Sequence, residues 1–199
     1  MPADPVYGGR VVSPRKMMLR FNSEMDHTRL ARLSAAIETP RLRLEPTVAE
    51  HARDLAEALG DPELHRHIGG SPRSAEAWAA QLEAWAGRTS PDGTQLWLNW
   101  VVAVPGAGQI VGWLQATVID GHADIAFMIG TPWQGHRYAT EAAQAVLEHL
   151  LASGVTSVGA SIGKENRPSQ AVVAHLEFVR TGETDDDGEE RWTAPSRSS

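Results

Sequence analysis

Hydrophobic residues follow a helical period in one stretch of the chain and a strand period in the stretch just before it. The helical positions share the i, i+3, i+4 spacing of a buried stripe, and they are Ala139, Ala142, Ala143, Val146, Leu147 and Leu150. Gly154 suits the end of this helix, because glycine readily adopts the left-handed conformation that follows a last turn. From His122 to Gly130 apolar residues alternate, with Ala123, Ile125, Phe127 and Ile129 on one face. The two patterns predict a strand that runs directly into a helix.

The remaining periodic segments predict a chain of alternating strands and helices. Thr47 and Ser74 are predicted N-caps, and the Trp78, Leu82, Trp85 stripe indicates a buried core or a groove wall. In chain order we expect a strand at 37–45, helices from 47 to about 59 and from 74 to about 85, strands at 97–104, 110–119 and 155–162, a helix starting near Pro168, and a closing hairpin at 178–193.

The start of the central helix, residues 134–139, is unusual because it carries no acidic residue. It reads Gln134-Gly135-His136-Arg137-Tyr138-Ala139, and the first acid is Glu141. A helix dipole favours acids in the first turn, so a basic start after a glycine is typical of a site kept for an anion, which the free N–H groups of that turn would bind. The alternative is that Gly135 only makes a turn, with His136 and Arg137 solvated.

Composition is that of one ordinary globular domain with some additional chain. The protein has 199 residues, of which 42% are hydrophobic and 22% charged. It has no cysteine, which excludes a disulfide framework and a thiol nucleophile. No apolar run approaches the ~20 residues of a membrane span, and no signal peptide is visible, so we expect a cytoplasmic protein without membrane partners. Only two lysines accompany sixteen arginines, a bias that suggests a GC-rich bacterial genome.

Charge is divided unevenly between the first residues and the rest. Residues 1–36 carry a net charge of +3, and because the whole chain has −7 the remainder carries −10. An acidic body argues against nucleic-acid binding and suits a cationic amine substrate, although solubility alone also explains it.

Three segments together resemble the GNAT acyltransferases, in the branch that acetylates the N-termini of ribosomal proteins. The stretch ADIAFMIG-TPWQGHRYATEAA is similar to motif A, in which Gln/Arg-x-x-Gly-x-Gly/Ala binds the pyrophosphate of acetyl-CoA; Gln134 and Ala139 hold its first and last positions. Thr-Pro-Arg-Leu-Arg-Leu (39–44) resembles the opening of the same branch, and Asn166-x-x-Ser169 matches a further pattern. Two residues depart from the family: Arg137 and Glu177 each stand where it has glycine. Arg137 would either narrow the loop or add a cation to the phosphates.

The resemblance implies an α+β GNAT fold, with a mixed, mostly antiparallel central sheet of about six to seven strands flanked by about four helices. The implied domain covers residues 37–193. Residues 1–36 are then an N-terminal extension, expected to be flexible except for a short helix with Leu30 and Leu33 inward, and 194–199 a disordered tail.

The resemblance also implies a set of site residues, with acetyl-CoA as co-substrate. Backbone near Met128 and Ile129 would supply the oxyanion donor, the loop would bind the pyrophosphate and Asn166 would touch the pantetheine arm. The implied acetyl-CoA contacts are Met128, Ile129, Gln134, Gly135, His136, Arg137, Tyr138, Ala139, Thr140 and Asn166.

Two residues are candidates for proton transfer. Acetyl transfer from a thioester requires a neutral amine in place and stabilised oxyanion and thiolate. Asp124 lies in mid-strand, where aspartate is disfavoured, at a point where the family often has an acid that relays the amine proton. We therefore predict Asp124 as base; the alternative is a structural pairing with an arginine. Ser169 is the candidate acid for the thiolate.

Other classes of function stay open from the sequence alone. The domain is an N-acetyltransferase in the first interpretation and a non-catalytic acyl-CoA-binding or regulatory module in the second. A third interpretation, a nucleotide enzyme, is disfavoured because the sequence lacks the Gly-x-x-x-x-Gly-Lys-Ser/Thr motif of a phosphate-binding loop. His65 and His67 have too few neighbouring ligands for a metal site, so no metal is expected. The expected partners are an amine substrate, small or peptidic, and possibly a second copy of the chain; the amine itself is not specified.

Overall fold

The structure, a computed structural model, describes residues 23–66, 70–106 and 108–195. Residues 1–22 of the predicted extension, His67 of the histidine pair, Ala107 of the predicted hairpin turn and the last four residues of the predicted tail lie outside these ranges. What was predicted for them stays a prediction, as does the division of the chain at residues 36 and 193.

Helices and strands succeed one another in the predicted order. The helices are α1 (Ser23–Leu33), α2 (Ala52–Ala58), α3 (Ala75–Trp85), α4 (Tyr138–Ala152) and α5 (Arg167–His175). The strands are β1 (Ile37–Glu38), β2 (Arg43–Pro46), β3 (Leu96–Val104), β4 (Gln109–Ile119), β5 (His122–Ile129), β6 (Ser157–Ile162), β7 (Val179–Thr184) and β8 (Glu190–Thr193). Short 3-10 turns at 49–51, 62–66 and 131–133 connect them.

The strands form one mixed sheet, which confirms the predicted fold class. Its order is β1-β2-β3-β4-β5-β6-β8-β7, and among the described strands only β5 and β6 pair in parallel. The described residues thus give eight strands and five α-helices, slightly more than predicted. The hairpin β3–β4 and the closing hairpin β7–β8 are both present as expected.

The sheet separates two hydrophobic clusters. One face carries α1, α4 and α5, and its cluster includes Ala123, Ile125 and Ile129 of β5 together with the predicted buried stripe of α4. The other face carries α2 and α3, whose Trp78 and Leu82 pack with Trp113 and Met128. Because strand residues alternate between faces, β5 directs Asp124, Ala126 and Met128 toward α2 and α3.

The predicted strand at 37–45 is wrong in one respect, because it is two strands joined by a turn. Pro40 has no N–H to donate to a ladder, and Thr39 closes the turn instead: its N–H donates to the Leu42 carbonyl (2.9 Å) and its Oγ1 accepts from Leu42 N–H (2.8 Å). The Thr47 cap is also wrong, since a 3-10 turn precedes α2 and Val48 takes the cap position. Ser74 does cap α3, accepting from Ala77 N–H at 3.2 Å.

The helix predicted before residue 37 is present as α1, and its last turn packs on the sheet. Leu33 is fully buried and Leu30 is partly buried against the same cluster. His149 of α4 lies with Nε2 3.0 Å from the Leu33 carbonyl, and Trp100 Nε1 donates to the Ala35 carbonyl at 2.9 Å. Residues 30–35 therefore contribute to the domain core.

Over the part of the chain that the structure describes, no helix has both the length and the apolar character needed to cross a membrane.

Candidate active site

The parallel strands β5 and β6 pair at one end and separate at the other. Only three residue pairs join them, His122 with Ser157, Ala123 with Val158 and Asp124 with Gly159. Beyond Asp124 the strands diverge, while β5 stays paired with β4 along its whole length. The edge of β5 from residue 125 to 129 therefore faces a gap in the sheet, which we call the splay.

Alternation of the ladder decides which β5 amides face the splay. Gly130 N–H donates to the Val111 carbonyl at 2.9 Å, so every second residue counted back from it bonds to β4. Met128 accordingly directs its N–H to β4, whereas Phe127 and Ile129 direct theirs into the splay. Of the two residues predicted near the oxyanion donor, Ile129 thus has its N–H on the splay side and Met128 on the β4 side, and the roles predicted for both stay predictions.

The loop after β5 is held firmly by its first residues. A Cβ on Gly130 would lie 2.3 Å from the Ala58 carbonyl oxygen and 2.7 Å from the Trp133 ring, so only glycine allows β5 to pass this close to α2. Gln134 donates through Nε2 to the Ile129 carbonyl (3.1 Å) and through its backbone N–H to the Thr131 carbonyl (3.2 Å). The backbone amide of Gln134 is thus occupied, and its contact with acetyl-CoA stays a prediction.

The following amides, those of residues 135–140, have no partner within the described chain. The first bonded amide is that of Glu141, which donates to the Arg137 carbonyl at 3.0 Å. Residues 134–137 are exposed, so these N–H groups and the positive end of α4 point to solvent beside the mouth of the splay. Consecutive free amides at a helix N-terminus bind phosphate groups in many proteins.

Two residues of the loop adopt the left-handed conformation. Gly135 has φ +79° and a Cβ there would meet no atom within 4 Å. Arg137 has φ +63°, so a non-glycine residue occupies the left-handed region at the position where the resemblance implies glycine. A non-glycine residue in this region costs about 1–3 kcal/mol, and the strain is therefore a property of this loop.

The other departure from the family has the same physical form. Glu177 follows α5 with φ +62°, and its N–H donates to the Ala174 carbonyl while Phe178 N–H donates to the Val173 carbonyl, both at 3.0 Å. A left-handed turn therefore ends α5 without a glycine.

Asn166 and Ser169 lie together at the start of α5. The Asn166 side chain is buried, and its Oδ1 accepts from Ser169 N–H at 3.2 Å, so it caps the helix. Pro168 occupies the first turn as predicted. Because α5 directly follows β6, these residues lie across the splay from the loop at 130–137, which joins β5 to α4 and which we call the phosphate loop.

Asp124 lies at the closed end of the splay in a cluster of polar side chains. Its Oδ1 accepts from Arg191 Nη2 at 2.7 Å and lies 3.1 Å from His122 Nε2, while His122 Nδ1 lies 2.9 Å from Ser157 Oγ. A Cβ on Gly159 would lie 2.9 Å from the same carboxylate oxygen. Burial raises the pKa of Asp124, but the hydrogen bonds from His122 and Arg191 outweigh it and hold the pKa below its ordinary value.

His122, Ser157 and Arg191 were missed from the sequence. The parallel pairing of β5 with β6 brings Ser157 to His122, and the antiparallel return of β8 brings Arg191 to Asp124. An aspartate in mid-strand did indicate a charged partner, but nothing in the local pattern identified which arginine.

A groove of about 490 Å3 lies on the α2 and α3 face of the sheet. Leu82 and Trp85 of α3 form one wall, and Trp97 and Asn99 of β3 contribute to its lining. Trp85 stacks on Trp113, with ring centroids 5.5 Å apart. The groove and the Asp124 side chain share this face, and the register Trp97–Thr117–Asp124 places them two strands apart.

The described residues include no group of three or more His, Cys, Asp or Glu side chains arranged to hold a metal ion. His65 Nε2 instead lies 3.4 Å from the Leu59 carbonyl.

Comparison with known proteins gives one family and a set of related folds. The family model of the GNAT acetyltransferase domain matches residues 41–179. No curated protein sequence matches the chain closely enough to add to this.

Solved structures of acetyltransferases share the fold at low sequence identity. A GNAT-family acetyltransferase from Bacillus anthracis is 18% identical with a TM-score of 0.65, over 79% of this chain and 95% of that one. A candidate ribosomal-protein-serine acetyltransferase from Vibrio cholerae is 19% identical with a TM-score of 0.64, over 80% of this chain and 97% of that one. Mycobacterium smegmatis RimJ, in complex with CoA-disulfide, is 21% identical with a TM-score of 0.60, over 77% and 80%.

Proposed function

The chain belongs to the GNAT acetyltransferase family, and from this premise we propose that it moves an acetyl group from acetyl-CoA to a primary amine by direct attack. The amine is a peptide or protein N-terminus or a small amine. The observation that carries the proposal is a set of N–H groups around one gap that have no partner among the described residues, at 135–140 in the loop and at Phe127 and Ile129 on the open edge of β5.

The loop fits a pyrophosphate. Within the part of the chain that the structure describes, the amides of residues 135–140 have no partner. Gly135 leaves open space beside the backbone, and Arg137 adds a cation at the same end of α4. Hydrogen bonds to charged groups contribute about 1.5–3 kcal/mol each before solvent screening, which is sufficient for a nucleotide-like ligand. A pantetheine arm would then extend from the loop along the open edge of β5 toward Asp124.

When bound, acetyl-CoA supplies an activated acetyl thioester, and the chain supplies position and donors. The N–H groups of Phe127 and Ile129 are fixed by the β4 ladder and need no rearrangement to donate to an oxyanion. Asn166 and Ser169 stand beyond the far side of the splay, where Asn166 would contact the arm and Ser169 remains the candidate that protonates the thiolate.

Removal of the proton from the attacking amine is the step for which the site residues offer least. Asp124 is the candidate base, yet its Oδ1 is engaged by Arg191 and its lowered pKa makes it a poor proton acceptor. An α-amine with pKa of about 8 is partly neutral in the cell, whereas a lysine amine at about 10.4 is not. We therefore propose α-amines as the preferred acceptors, with Asp124 acting mainly through its pairing with Arg191.

The acceptor approaches from the face that carries α2 and α3, since α4 fills the other face. The groove beside Trp97 is on that side and offers an apolar lining with one acid, Glu83, and one base, Arg88. A lining with both charges does not favour a cationic or an anionic acceptor.

A second candidate function is a non-catalytic acyl-CoA-binding module. The observation in its favour is the engagement of Asp124 by Arg191 and His122. It requires the same loop but no acetyl transfer.

The deciding experiment incubates the protein with acetyl-CoA and a panel of α-amino peptides, amino acids, polyamines and aminoglycosides, and measures CoA release and acetylated product. We expect transfer to at least one α-amine above the rate of acetyl-CoA hydrolysis. Acetyl-CoA binding without transfer to any amine would favour the second candidate, and no binding at all would reject both.

A further inference from the structure

We infer that Arg41, in the turn between β1 and β2, is a positioning residue for the phosphates of acetyl-CoA. The inference rests on the proposed function and adds a residue outside the phosphate loop. Arg41 lies 100 residues before Glu141 in the chain, yet four of its nitrogen atoms bond to Glu141 in the first turn of α4 or to His136 just before it.

The contacts of Arg41 and Thr39 satisfy the whole Glu141 carboxylate. Oε1 accepts from Thr39 Oγ1 (2.6 Å) and Arg41 N–H (3.0 Å), and Oε2 accepts from Arg41 Nε (2.7 Å) and Nη2 (2.5 Å). The Glu141 side chain is only 16% exposed, whereas that of Arg41 is 51% exposed. A planar guanidinium binding a carboxylate through two nitrogens has a fixed orientation, which a lysine cannot reproduce.

Glu141 would oppose phosphate binding if it were unpaired. It lies in the first turn of α4, directly after the free amides. Burial raises the pKa of Glu141, but the hydrogen bonds from Thr39 and Arg41 hold it below its ordinary value, so the carboxylate is ionised at neutral pH. Arg41 therefore cancels a negative charge that would otherwise repel the pyrophosphate.

Arg41 also fixes the backbone of the loop. Its Nη1 donates to the His136 carbonyl at 3.1 Å, the oxygen that Thr140 N–H would use if the helix began one turn earlier. Its guanidinium lies 5.1 Å from the Tyr138 ring centroid, and that ring stacks on His136 with 5.5 Å between centroids. The two residues flanking the strained Arg137 are thus held from one side, and the Thr140 amide stays free.

Arg43 provides a matched control two residues away. It is equally exposed, at 50%, and forms ion pairs with Glu38 of the adjacent strand β1 and Glu45 of its own strand β2. Its described polar contacts do not reach α4. Loss of an exposed arginine and of its ion pairs is therefore common to both variants, and the contact with the phosphate loop is what differs.

The test measures acetyl-CoA affinity by calorimetry and the kinetic constants of Arg41→Ala, Arg41→Lys, Arg41→Ala with Glu141→Gln, and Arg43→Ala. We expect Arg41→Ala to raise Kd and KM for acetyl-CoA roughly tenfold with kcat at saturation unchanged, because ion pairs beside a charged ligand act in partly screened solvent. Glu141→Gln should recover part of this loss, since it removes the unpaired carboxylate. Arg41→Lys should recover less than half, since it restores charge but not the bidentate geometry, and Arg43→Ala should match the wild type.

A purely structural role for Arg41 predicts something else. Arg41→Ala would then lower the melting temperature and leave Kd equal to that of Arg43→Ala, and this result overturns the inference while the proposed function stands. Should Arg41→Ala fail to fold, Arg41→Lys carries the test: unchanged Kd in that variant likewise overturns the inference. A wild-type protein that does not bind acetyl-CoA overturns the proposed function and the inference with it.

Discussion

At the amino end of β5 polar side chains bond one another, whereas just beyond its carboxyl end the amides of residues 135–140 have no partner in the described chain. Asp124, His122, Ser157 and Arg191 form a connected network at the closed end of the splay. At the open end a strained residue, Arg137, and a glycine with positive φ, Gly135, shape a loop whose N–H donors are exposed. Satisfied polar groups stabilise a fold, while unsatisfied and preorganised ones are available to a ligand.

The two ends of β5 are therefore expected to have different roles. A mid-strand aspartate and a basic helix start are equally conspicuous in the sequence, but the fold supplies partners to the first and withholds them from the second. Substitutions at the open end should therefore change affinity for acetyl-CoA, and substitutions at the closed end should change stability first.

The largest effect is expected at Gly135. Its φ of +79° excludes a β-branched residue, so Gly135→Val should displace the free amides. Loss of two charge-assisted hydrogen bonds corresponds to about 3 kcal/mol, or a roughly hundredfold weaker acetyl-CoA affinity by calorimetry. Gly182→Val is the matched control, because Gly182 also has positive φ, +83°, and open space at Cβ. Equal affinity in the two folded variants would refute the loop as the phosphate site.

Arg137→Gly should give a smaller change that separates attraction from strain. The variant loses a cation beside the phosphates and gains relaxed backbone, so we expect about fivefold weaker acetyl-CoA binding at low salt with a shallower salt dependence. Its free energy of unfolding should rise by about 0.5–1 kcal/mol, since glycine removes the strain but loses more entropy on folding. Tighter binding in the variant would mean that the arginine obstructs the loop.

Sequence periodicity was sufficient for the elements that hold the site. The alternation of β5 and the stripe of α4 predicted both correctly, because each is set by burial of one face. Periodicity could not predict the splay, since the separation of β5 from β6 depends on pairing between strands that are distant in the chain. Periodicity also could not identify Arg191 as a partner of Asp124 or Arg41 as a partner of Glu141, since they lie 67 and 100 residues away. The left-handed Arg137 was also hidden, because its side chain gives no local sign of positive φ.

Asp124→Asn probes the closed end. Asp124 is partly exposed, so the loss of its pairing with Arg191 should cost only about 0.5–1 kcal/mol of unfolding free energy, with acetyl-CoA affinity unchanged. Because the folded pKa is lowered, this stability is fully present above the ordinary value of 3.8 and is lost as pH falls through the lowered value. Wild type and variant should therefore converge in acid denaturation below that range. A fall in kcat of a hundredfold or more at neutral pH would instead establish Asp124 as the base.

Glu177→Gly should have the smallest effect and affects neither end of β5. Glu177 holds a left-handed turn after α5, as Arg137 does before α4. Glycine there should add about 0.5–1 kcal/mol to the free energy of unfolding, measured by denaturant titration. Acetyl-CoA affinity should stay at the wild-type value, and a change as large as that of Arg137→Gly would show that the two left-handed positions do not differ in function.

Amide hydrogen exchange with and without acetyl-CoA, resolved to single residues by NMR, measures whether the open end of β5 and the start of α4 bind the co-substrate through backbone N–H groups. Acetyl-CoA should slow exchange at Phe127, Ile129 and residues 135–140, and leave the amides of 122–124 unchanged. Saturating acetyl-CoA without added protection at residues 135–140 would contradict the account.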